Sequence, residues 1–155
     1  MKIAVENLNR ARINKGFTYN DLAQITGYSK NSIQKLLSYN NNSKSRLDIV
    51  VKVCKALDVD FPSIFERGVG TYTAQGGLVY TGFDNDLGQE YYLKKFVNRV
   101  RIEIDNYTHY YLKTVSGLSE STISDLLNFK TKNPQIETLL KIAKGLEISE
   151  SEMFR

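Results

Sequence analysis

Apolar residues recur along the chain in short bursts at helical spacing. Ile33, Leu36 and Leu37 fall at i, i+3, i+4, and Ile123, Leu126 and Leu127 repeat the pattern. A longer stripe, Val50, Val53, Cys54 and Leu57, returns as Leu139, Ile142, Ala143 and Leu146. These stripes predict amphipathic helices with one buried face. A first helix is expected near 3–15 and again near 93–104.

Punctuation between the stripes sharpens the boundaries. Thr18 and Thr108 stand where a hydroxyl accepts from the free N–H groups opening a second helix. Gly27 and Gly117 stand where that helix ends, supplying the left-handed turn. Ser29 and Ser119 then cap a third helix almost at once, so the turn between is about three residues long. Asp60 and Ser149 are expected to cap a fifth helix, with Ser149 and Glu152 spaced as a capping box.

The two sets are one unit written twice. Residues 8–66 lie against 97–155: "NRARI" answers "NRVRI", "FTYNDLAQITGYS" answers "YTHYYLKTVSGLS", and "VVKVCKALDV" answers "LLKIAKGLEI". "IF" at 64–65 answers "MF" at 153–154. One single-residue gap before Tyr107 and one after Tyr39 keep the register. Three segments follow: 1–67 and 94–155 as five-helix domains, and 68–93 between them. The middle segment holds six of the ten glycines. Its "TYTA", "QGG" and "LVYT" read as a small β-hairpin, serving either as a spacer that packs Tyr72, Val79 and Tyr80 on a helix or as an edge for strand pairing between chains.

A capped helix, a glycine turn and a second capped helix is the helix-turn-helix plan. With five helices per copy, the chain resembles the phage Cro/repressor type, the XRE family. The resemblance rests on Thr18, Leu22, Ala23, Gly27, Ser29, Ile33 and Leu36, and on Thr108, Leu112, Val115, Gly117, Ser119, Thr122, Ile123 and Leu126. It spans both copies, about four fifths of the chain. It implies a mainly α protein with two tandem DNA-binding domains. One departure stands out. The family often pairs an arginine on the first helix with an acid near the end of the third. The arginines are Arg12 and Arg101, but the acid position holds Leu37 and Leu127, so the pair is expected to be missing or rerouted.

The third helix carries the chemistry. Opposite its apolar face, the first copy sets Lys30, Asn31, Ser32, Gln34 and Lys35. Lysine donates to guanine O6 and N7, and Asn or Gln pairs with adenine through two hydrogen bonds. The resemblance places Thr18, Tyr19, Ser38, Asn40, Lys44 and Arg46 against phosphates. The second copy has Glu120, Ser121, Ser124 and Asp125 on its outward face, with Lys130 and Lys132 following. Two carboxylates facing phosphates oppose binding, although an acid accepts from cytosine N4. The second copy therefore reads different bases, or keeps the fold for dimerisation or a protein partner.

Charge follows the same division. Residues 1–67 carry 11 basic and 6 acidic side chains, a net +5; residues 68–93 carry −3 and residues 94–155 carry +2. Other chemistry has little to work with. One cysteine, Cys54, and one histidine, His109, build neither a disulfide nor a usual zinc site, so no metal or cofactor is expected. Cys54 aligns with Ala143 on a core face, and His109 has no nucleophile at a catalytic spacing, so no enzyme is expected. "QGG" lacks the Gly-Lys-Ser/Thr of a phosphate loop, and the ten tyrosines are scattered as packing residues are. Met1 leads straight into polar residues, and no apolar run approaches the ~18 residues of a membrane span.

The expectation is a cytoplasmic, nucleoid-associated regulator: a sequence-specific repressor of phage or mobile-element type, bound to double-stranded DNA as a homodimer. The competing reading gives DNA autoregulation to the first domain and a protein partner to the second, as in an antitoxin or a phage-encoded inhibitor.

Overall fold

Lys2–Asn14 forms α1, Tyr19–Thr26 α2, Lys30–Leu37 α3 and Leu47–Ala56 α4, followed by a 3₁₀ turn at Pro62–Phe65. The second repeat runs through α5 (Gln89–Glu103), α6 (His109–Ser116), α7 (Glu120–Leu127), α8 (Ile136–Gly145) and α9 (Glu150–Met153). This computed structural model describes residues 1–39, 44–68, 71–72, 78–79, 87–104 and 109–155. Between the repeats, β1 (Thr71–Tyr72) pairs antiparallel with β2 (Leu78–Val79), Thr71 facing Val79 and Tyr72 facing Leu78. The Gly-Gly turn, Tyr80, the Thr108 cap and Asn40 lie outside the described residues.

The caps act where the sequence puts them. The Thr18 hydroxyl accepts from the Asp21 N–H at 3.1 Å, and the Asp21 carboxylate accepts from the Thr18 N–H at 2.7 Å, closing a capping box. Gly27 and Gly117 take φ of 77° and 69°, a left-handed conformation that glycine adopts without a Cβ clash. Ser29 and Ser119 accept from the N–H groups of Ser32 and Thr122. Asp60 accepts from the Ser63 N–H at the head of the 3₁₀ turn.

Three expectations need correction. The first repeat closes with a 3₁₀ turn rather than a fifth α-helix: the Ile64 and Glu66 N–H groups donate three residues back, to the Phe61 and Ser63 carbonyls, the tighter pattern common in single-turn pieces. The first helix of the second repeat begins at Gln89, four residues before the position expected, and so buries Tyr92 and Leu93. The Ser149–Glu152 box is half made: Ser149 accepts from the Glu152 N–H, but the Glu152 carboxylate takes the Ser149 hydroxyl instead of its N–H.

The departure at the end of the third helix resolves into two solutions. Asn9 Nδ2 donates to the Leu37 carbonyl at 2.8 Å. In the second repeat the Arg101 guanidinium donates to the equivalent Leu127 carbonyl. Arg12 instead donates to the Phe17 carbonyl at 2.8 Å and stacks over Tyr19. A helix end leaves its last carbonyls without partners, so either side chain meets a standing need.

The repeats share one core. Phe154 stacks on Phe65, with ring centres 5.6 Å apart and planes at 20°. It also meets Phe61 at 4.9 Å and Phe96 at 5.2 Å, while Phe61 meets Tyr92 at 4.7 Å. Phe96 is the counterpart of Asn7 in the repeat, a buried side chain that donates to the carbonyls of Ile64 and Glu66. One repeat thus ties its end down by hydrogen bonds where the other fills the junction with a ring. A second contact joins the segments before α4 and α8. The Leu47 N–H donates to the Pro134 carbonyl and the Ile136 N–H to the Ser45 carbonyl, both at 2.9 Å, pairing Arg46 with Gln135.

Two carboxylates stand at these junctions. Burial pushes Asp48 up, but hydrogen bonds from Tyr28, Asn133 and the Ile49 N–H, with nearby Lys52, outweigh it and hold the carboxyl low. Burial likewise pushes Glu66 up, and Ser151 and Arg155 outweigh it. A depressed folded pKa contributes stability above the ordinary carboxylate value of about 4 and loses it as pH falls through the lower folded value. Urea unfolding between about pH 6 and pH 2 is expected to show stability holding above about pH 5 and then declining. Asp48→Asn with Glu66→Gln flattens that decline. An equally steep acid limb in the double variant would contradict the assignment.

Candidate nucleic-acid interface

Helix α3 is only eight residues long, and its two faces are fully separated. Ile33, Leu36 and Leu37 are buried, and Lys30, Asn31, Gln34 and Lys35 are exposed. The polar set is therefore held outward by the burial of the apolar one. Ser32 is half-buried at the edge of the polar face, its hydroxyl 2.9 Å from that of Ser29. Among the described residues no carboxylate pairs with Lys30.

A groove of about 540 Å³ runs between α3 and the segment before α4. Ser32, Lys35, Lys44 and Arg46 meet in it, with Tyr28 and Asp48 on its floor. The Tyr28 hydroxyl donates to Asp48 Oδ2 at 2.6 Å, and the Lys52 ammonium lies 5.1 Å from the Tyr28 ring centre. Asp48 is thus occupied by its own partners, and the groove's open rim is cationic. Thr18 and Tyr19 lie apart from this lining at the start of α2, Thr18 in its capping box and Tyr19 half-buried beneath Arg12. Ser38 is exposed at the end of α3.

The second repeat rebuilds the frame with other charges. Ile123, Leu126 and Leu127 are buried, and Glu120 and Ser121 are exposed on α7. Neither acid on this face is bare. Lys113 pairs with Glu120 at 3.2 Å and Lys130 with Asp125 at 3.7 Å. Half-buried Ser124 accepts from Asn128 Nδ2 at 3.2 Å. Lys132 lines a separate pocket with Glu90, Leu93, Lys94 and Phe129. The counterpart of the basic groove, about 220 Å³, is lined by neutral residues such as Thr122, Asn133 and Gln135, together with Arg46 from the first repeat.

Sequence reasoning missed Tyr28, Asp48 and Asn133. Tyr28 answers Leu118 in the repeat, a change of type between the copies. Asn133 Oδ1 accepts the Asp48 N–H at 3.1 Å from across the repeats, a contact no local pattern encodes.

Comparison with known proteins agrees with this architecture in both halves. The profile of the Cro/C1-type HTH DNA-binding domain matches residues 7–67, and the helix-turn-helix profile matches residues 103–153. No curated protein and no solved structure matches the chain. Among the described residues, no helix is long and apolar enough to cross a membrane. With both halves matched and both third helices formed, the chain belongs to the Cro/repressor (XRE) type of helix-turn-helix proteins, as a DNA-binding transcription regulator with two tandem domains.

Proposed function

We propose that the chain is a sequence-specific repressor of phage or mobile-element type, reading the major groove of double-stranded DNA with the outer face of α3. In this reading residues 1–67 form the principal DNA-reading domain. The observation that carries it is the joint exposure of Lys30, Asn31, Gln34 and Lys35 beside a groove holding Lys44 and Arg46. The first set matches base edges, and the second matches the phosphates flanking them. Thr18, Tyr19 and Ser38 are assigned to the same backbone. A repressor needs only to cover its site, and nothing more is asked of this surface. The ion pairs on α7 weaken the case for a protein partner drawn by free carboxylates.

Lys44→Ala separates phosphate contacts from base contacts. Its affinity is expected to fall by a similar factor on every sequence, with the slope of log K against log salt shallower by about one. Measuring binding to the operator and to unrelated duplex across a salt series checks this. A changed preference between sequences, with an unchanged slope, would move Lys44 out of the phosphate role.

A further inference from the structure

We infer that one chain is an internal dimer: the second repeat takes the place of a second subunit, and a single chain lays α3 and α7 on two adjacent, unlike half-sites of one duplex. This rests on the DNA-binding reading above.

Three contacts carry the inference, and each joins a residue to its own counterpart in the other repeat. Arg46 pairs with Gln135 through two reciprocal backbone hydrogen bonds of 2.9 Å. Phe65 stacks on Phe154. Glu66 Oε1 accepts from Arg155 Nη2 at 2.9 Å. In an isologous interface, the residues that meet their own copies are those on the twofold axis. Three such pairs trace one axis through the molecule. The surface that two chains would otherwise use to pair is therefore already covered within one chain. The homodimer expected from the sequence loses its energetic motive.

The same axis places the reading faces. A twofold rotation leaves the coordinate along its axis unchanged, so the grooves beside α3 and α7, which both reach Arg46, lie toward the same end of it. Arg46 lines the grooves of both helices, which makes their surfaces continuous across the axis. The α7 face is not barred from DNA, because Lys113 and Lys130 offset its two carboxylates and leave Ser121 and Thr122 exposed. Its residues differ from those of α3 at every outward position, so the two half-sites differ in sequence. The operator is then an asymmetric pair, not a palindrome.

Native mass spectrometry of the full chain, alone and on duplex taken from its protected site, tests the inference. The expected result is a monomer in solution and one chain per duplex, covering two unlike subsites centred about 34–36 Å apart. Ser121→Glu is expected to remove protection from one subsite and weaken binding about tenfold, and Lys30→Glu to remove it from the other. Two chains on a symmetric site would overturn the internal dimer and leave the DNA reading standing. So would one chain on a single subsite that is indifferent to Ser121→Glu. Absence of binding to any duplex would overturn the DNA reading and this inference with it.

Discussion

Phe154→Ala is expected to destabilise both repeats together, by about 3–5 kcal/mol. The ring is buried and touches Phe61 and Phe65 of the first repeat as well as Phe96 of the second. Its removal opens a cavity on the axis that relates the repeats, where neither half closes the gap alone. A domain of this size has about 5–15 kcal/mol in total, so the loss is a large share. Thermal unfolding should remain a single transition at a midpoint lower by roughly 6–20 °C. Amide exchange should accelerate in α1 and α4 as much as in α8. Loss of protection confined to the second repeat would show that the halves fold independently. The shared core has a practical corollary. Residues 1–67 alone would expose Phe61 and Phe65, so binding experiments belong on the whole chain.

The largest functional effect is expected from Lys30→Ala combined with Lys35→Ala. Each well-placed base contact is worth about 1–3 kcal/mol, so losing two reduces specific affinity by roughly 30-fold to 10⁴-fold. Both side chains are exposed on a helix whose buried face is untouched, so the fold should survive. Circular dichroism checks that, and titration of operator against unrelated duplex reads the loss of discrimination. Glu120→Ala is the matched control on α7. It frees Lys113 and removes a negative charge, so operator binding should not weaken. An unaltered operator affinity in the double lysine variant would remove α3 from the reading role. A large loss in Glu120→Ala would instead make that carboxylate a base contact.

Much of each repeat was legible because its signals are local. Thr18, Gly27 and Ser29 act within one turn of themselves, and Ile33, Leu36 and Leu37 report a face by spacing alone. The polar face of α3 was legible for the same reason. What joins the repeats was not. Phe65 and Phe154 answer each other near the ends of two repeats, and nothing local says that they meet. The clue was a difference between the copies: Phe96 stands where the first repeat has Asn7, a ring exchanged for an amide at equivalent positions. The ion pairs on α7 were not legible for the same reason, since Lys113 and Lys130 sit a turn or more from the carboxylates they meet.

The most direct measurement is a protection footprint of the purified full chain on the DNA upstream of its own gene. One protected stretch with two adjacent, unlike subsites is expected, and the subsite read by α3 is lost in the Lys30→Ala, Lys35→Ala variant. Full protection persisting in that variant, or no protected stretch with the unaltered chain, would contradict this reading.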